Sequence, residues 1–142
     1  MRNRLAVIAV ATAAVVSLAC NARKKAEECS VLIDRLNSAQ QAAETSASGV
    51  KVTTKDLKKL AGILDQLKKD VGALSISTPE LRDYANEYGK KAGEAAAAAR
   101  TVATRVEAGK LDEAKAAKQK FDAIHASERE LVDQINTFCG AP

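Results

Sequence analysis

The sequence predicts an all-α fold, an antiparallel up-down-up-down four-helix bundle with coiled-coil-like packing, following an N-terminal apolar segment. Three observations carry this expectation. Apolar side chains recur at spacings of three and four along successive segments, and no stretch of useful length alternates as a strand would. Alanine, the best helix former, dominates, and the two prolines, Pro79 and Pro142, fall outside helix interiors. Turn-forming stretches at Ser48-Gly49, at Ser75 to Thr78 and at Gly109 divide the chain into segments of helical length.

The first helix is expected over about 22–46, where Cys29, Leu32, Leu36, Ala39 and Ala43 share one face. Ser48-Gly49 ends it, and Val50-Lys51-Val52 leads to a cap at Thr53 or Thr54. The second, about 54–74, has the clearest pattern: Leu57, Leu60, Leu64, Leu67, Val71 and Leu74 hold a/d spacing with lysines and aspartates between them. A coiled-coil seam for an external partner would look the same; the other helices offer apolar faces that can cover this one within the chain, which is the reading preferred. Thr78-Pro79-Glu80 starts the third helix, about 79–108, with Thr as N-cap, Pro at the first position and an acid in the first turn. Its stripe is Leu81, Tyr84, Tyr88, Ala92, Ala95, Ala99, Val102 and Val106; the alanines from Ala95 to Ala99 make the bundle thin there. The fourth, about 110–139, carries Ala114, Ala117, Phe121, Ile124, Leu131, Ile135 and Phe138, with one gap at Glu128.

Ahead of these helices, Arg2 and Arg4 form a positive head, and Leu5 to Ala19 is an apolar run without a charge. As a helix that run would reach only about 22 Å, against roughly 30 Å of bilayer hydrocarbon, which suits a signal segment better than a span. The run closes on Ser17-Leu18-Ala19-Cys20 and resembles the signal segment of a bacterial lipoprotein precursor. Ala19 and Cys20 match the last two positions of that cleavage motif; Ser17 stands where Leu is usual, and Leu18 where a small residue is usual. The resemblance covers the signal segment alone. It implies a signal peptide over 1–19, cleavage before Cys20, lipid attachment at Cys20, and a bundle domain over 20–142. Two other readings stay open: ordinary signal cleavage after Ala19, since Ser17 and Ala19 are both small, and an uncleaved membrane anchor.

Without Arg2 and Arg4, twenty basic side chains face eighteen acidic ones, a net of +2. This mixed-charge surface speaks against nucleic acid as a partner. With no Trp, two Tyr and two Phe, the chain also lacks a stacking platform for bases or sugars.

Of the three cysteines, Cys29 and Cys139 each continue an apolar stripe. In an up-down-up-down bundle the start of the first helix and the end of the fourth lie together, so an oxidising compartment would join the two as a disulfide. The alternatives are two buried free thiols, or a bond to Cys20 if it carries no lipid.

Motifs for chemistry are scarce. His125, the sole histidine, has Asp122 three residues before it, which does not make a metal site; a surface histidine is expected. No haem motif occurs, and no cofactor is expected. Tyr84 and Tyr88, one turn apart, and Glu128 are the candidate ligand contacts, for a small site between the third and fourth helices. The plainer readings are core tyrosines with hydroxyls at the rim, and a Glu128 that reaches solvent or pairs with Lys or Arg from another helix. No nucleophile-base pair, paired carboxylates or phosphate loop is apparent, so no catalytic residue is assigned. The function expected is that of a non-enzymatic interaction or scaffold lipoprotein, anchored by its lipid on the periplasmic side of a bacterial envelope membrane. The outer membrane is favoured over the inner, with an envelope protein or the cell wall as partner. The alternative is a small-ligand-binding or sensory bundle.

Overall fold

The computed structural model describes residues 12–46 and 52–140. Arg2, Arg4 and the front of the apolar run, the Ser48-Gly49 stop and Pro142 lie outside them. Four helices make up the architecture: α1 (Thr12–Ser46), α2 (Thr54–Gly72), α3 (Pro79–Glu107) and α4 (Leu111–Cys139). They pack as an antiparallel four-helix bundle, and no strand occurs among the described residues. No described helix is long and apolar enough to cross a membrane.

Local chemistry sets the helix ends. At α2, Thr53 Oγ1 accepts from the Asp56 amide at 3.2 Å, and the Thr53 amide donates to Asp56 Oδ2 at 2.9 Å, a complete capping box. At the end of α3, Gly109 adopts a φ of 69°, where a side chain would be strained. The left-handed turn lets the Lys110 amide reach Arg105 O at 2.9 Å and the Gly109 amide reach Val106 O at 3.0 Å, which closes α3 as a Schellman motif. The chain then reverses directly into α4.

α1 departs from its expected bounds. It is already helical at Thr12, the first described residue and ten before Ala22, and runs 35 residues without a break. Nothing between Thr12 and Ala22 is a Gly or a Pro, so the described end of the apolar run, from Thr12, and the amphipathic segment join as one helix of about 52 Å. From Asn21 on, its first buried side chain is Cys29, followed by Leu32 and Leu36.

α3 is the central element, paired extensively with both α2 and α4, while α1 packs chiefly on α2. A helix with two neighbours needs two buried faces. Besides the expected Leu81, Ala92, Ala95 and Ala99, α3 buries Ala85, Gly89, Ala96 and Ala103, and Val106 turns out to be 40% exposed. Small side chains let α2 come close: a Cβ on Gly93 would lie 3.0 Å from Lys68 Cδ.

The core has two unlike halves. At the end that carries Cys29, it gathers Leu32, Leu36, Leu67, Val71, Ile76, Leu81, Leu131 and Ile135. Leu32, Leu81 and Ile135 are fully enclosed, each worth about 1.5–3 kcal/mol of apolar burial. Towards the other end, Ala61, Ala96 and Ala99, and beside them Ala95, Ala98 and Ile124, pack against the half-buried Leu64 and Phe121. Ion pairs bridge the helices there, Lys58 to Glu107 at 2.7 Å, Arg105 to Glu113 at 3.0 Å, and Arg100 to Asp65. All are exposed and screened by water, so they add little stability and serve mainly to keep the antiparallel register.

Candidate functional site

Cys29 and Cys139 are joined. Their sulfurs are 2.09 Å apart and their Cα atoms 5.7 Å apart, across a sequence separation of 110. The bond needs the start of the packed part of α1 beside the end of α4, as the topology supplies. Next to it, Lys25 Nζ lies 3.8 Å from the Phe138 ring centroid, and Phe138 meets Tyr84 edge-on at 5.8 Å and 68°. Tyr84 is thus packed into the disulfide end.

A second tie adjoins the first. The Glu28 carboxylate, one residue before Cys29, reaches across to the start of α3. It accepts from the Ser77 amide at 2.8 Å, the Ser77 hydroxyl at 2.6 Å and the Thr78 amide at 3.0 Å. Thr78 occupies the N-cap, with Pro79 following, but its side chain makes no cap hydrogen bond. Glu28 instead holds the two amides just ahead of the helix, and its negative charge suits the positive end of the α3 dipole. The hydroxyls of Ser77 and Thr78, with their amides, hold its carboxyl down at about 2.

Glu128 corrects an expectation. It neither reaches solvent nor pairs with Lys or Arg: it is 6% exposed, and its Oε1 has no hydrogen-bond partner. The reason is register. Ile124, Glu128, Leu131 and Ile135 follow at spacings of 4, 3 and 4 on an unbroken helix, which has no bend to turn one member outward. Burial pushes its carboxyl above the usual range, against the pull of His125 and Lys91. Tyr88 faces it from α3, and its phenol is pushed up to about 12, first by burial and then by the Glu128 charge.

His125 is exposed, as expected of a surface histidine, yet its Nδ1 lies 3.4 Å from Glu128 Oε2, and its ring stacks on Phe121 at 6.5 Å. Lys91 donates to Ser127 Oγ at 3.2 Å and sits 3.6 Å from Glu87 Oε1. The structure therefore brings Tyr88 and Glu128 together and adds His125 and Lys91, while Tyr84 lies with Phe138. The signal for His125 is its place three residues before Glu128, a helical neighbour spacing; Lys91 gives none beyond a lysine pair.

A groove of about 480 Å³ lies between α2 and α3, beside Lys68, Gly89 and Gly93, and none of the three candidate contacts lines it. Among the described residues, no three of His, Cys, Asp and Glu are grouped to hold a metal ion. Cys20 falls within α1, nine residues before Cys29. A scan against protein-family models and searches of curated proteins and of solved structures found no match for the chain.

Proposed function

We propose that this protein is a bacterial envelope lipoprotein, anchored through Cys20 on the periplasmic side, that serves as a non-enzymatic interaction or scaffold module. The observation that carries the reading is the Cys29–Cys139 bond. It suits an oxidising compartment, and of three cysteines it leaves Cys20 without a partner in the chain. On this reading the mature α1 starts at Cys20, and about 13 Å of helix separates the lipid from the disulfide. The disulfide end of the bundle then faces the membrane, and the α3–α4 turn points away from it. The outer membrane is the proposed site, and an envelope protein or the cell wall the proposed partner.

Intact mass of the protein purified from membranes tests the anchor. A diacylated or triacylated N-terminus at Cys20 is expected, and Cys20→Ser is expected to leave the detergent phase. An unmodified wild-type N-terminus refutes it. In-cell crosslinking, with identification of one reproducible partner, tests the scaffold role.

A second reading rests on the unpartnered Glu128 Oε1 opposite Tyr88. A small ligand with a hydrogen-bond donor would satisfy that oxygen. Native mass spectrometry of the purified protein, with a bound metabolite lost in Glu128→Gln, would favour this reading over the first.

A further inference from the structure

We propose that Glu128, His125 and Lys91 form a proton-sensitive latch across the α3–α4 seam, closed when Glu128 carries its proton. The geometry is that of a buried carboxyl with two unlike oxygens. Oε1 meets no donor, and Oε2 faces His125 Nδ1 at 3.4 Å. A neutral carboxyl is tolerated in such a place at far lower cost than a carboxylate. The groups that face it are Tyr88 and Lys91 from α3 and His125 from α4; among the described residues no ion pair or hydrogen bond reaches it from α1 or α2. Tyr88 stays protonated, with its phenol at about 12, and supplies no positive charge.

When Glu128 ionises, its proton has a short way out. His125, with Nδ1 3.4 Å from Oε2 and its side chain 62% exposed, marks the side on which the proton leaves to water. The carboxylate left behind needs a cation, and Lys91 is placed to become it. Its ammonium rests on Ser127, the residue next to Glu128, and leans on Glu87 only at 3.6 Å. The open latch draws Lys91 inward and releases Glu87; the closed latch is the arrangement observed.

The direction of the pH effect follows from the burial of Glu128, which makes the folded chain hold this proton more tightly than the unfolded chain does. The stabilisation is complete below the ordinary carboxyl value of 4.5 and is lost as pH rises from there through the raised value. Glu28, held at about 2, acts below this window and does not mask it.

The test is carbon-13 NMR titration of the Glu128 carboxyl in the full-length protein in detergent, together with urea unfolding between pH 4.5 and 8. The Glu128 midpoint is expected above 4.5. Wild-type stability is expected to fall with rising pH, while Glu128→Gln loses that slope and Lys91→Met steepens it. In His125→Gln the slope is expected to persist with the Glu128 midpoint moved further up, which separates the carboxyl from titration of the imidazole itself. A Glu128 midpoint at or below 4.5, read on the wild-type protein without any substitution, overturns the latch. So does an unchanged slope in Glu128→Gln.

Discussion

Replacing Glu28 with Gln should loosen the junction between α1 and α3 by a measurable and pH-dependent amount. The carboxylate accepts three hydrogen bonds, from the Ser77 amide, the Ser77 hydroxyl and the Thr78 amide, at 2.8, 2.6 and 3.0 Å. They lower its pKa from 4.5 to about 2. Taken in full, that difference would be worth about 3.4 kcal/mol. The group sits at the rim with water on it, so screening cuts this to about 1–2 kcal/mol, the range of a strong N-cap. Gln keeps an acceptor oxygen but not the charge. The contribution of a lowered carboxyl is whole above pH 4.5 and vanishes as pH falls through about 2. Urea unfolding of wild type and Glu28→Gln, both with the disulfide intact, is expected to differ by about 1–2 kcal/mol at pH 7 and to converge at pH 2, with equal denaturant slopes. A difference below about 0.3 kcal/mol at pH 7, or one that persists unchanged at pH 2, would mean that the contact carries no stabilising charge.

Reduction of the Cys29–Cys139 bond, or its replacement by two serines, should lower stability by about 4–5 kcal/mol by the chain-entropy estimate for so long a loop. The melting temperature is expected to drop with helix content retained, and peptide mapping that finds both thiols free in protein purified without reductant would refute the pairing. Leu81→Ala, in the fully enclosed half of the core, is expected to cost about 3–5 kcal/mol, and Leu64→Ala, half-buried among alanines, about 2. Equal losses in chemical denaturation would contradict the division of the core into a well-filled and a thin half.

What could be read from the residues depended on how local the physics was. The bounds of α2, α3 and α4 are marked by local signals next to the helix concerned: the Thr53 cap, Pro79 in the first turn of α3, and the left-handed Gly109. The pairing of Cys29 with Cys139 is legible because a four-helix topology leaves the two little choice. The second buried face of α3 is not, since Ala85, Gly89 and Ala96 are too small to stand out in an apolar period. Glu128 shows the limit of pattern reading. The period gives its register correctly, but the cost of burying a charge argues for an exit to solvent, and only the packed structure shows that none was made. Glu28 lies 49 residues from Ser77, and no spacing rule connects them. The extension of α1 ahead of Ala22 reflects the lack of any helix breaker between Thr12 and Ala22.

The disulfide also makes the chain from Cys29 to Cys139 a closed covalent ring, with the N-terminal arm hanging from it. A protease that cuts the ring once, in the segment between α1 and α2 or in the α3–α4 turn, opens it but frees nothing. Both cut ends stay bonded to the arm through the other way round. If the arm ends in a lipid at Cys20, a single cut can shed the domain only between residues 20 and 29. That stretch is helical and must unwind before a protease can engage it. On the anchored reading, the domain therefore stays on the membrane through damage that would release most tethered proteins, and its turnover is controlled by fewer than ten peptide bonds.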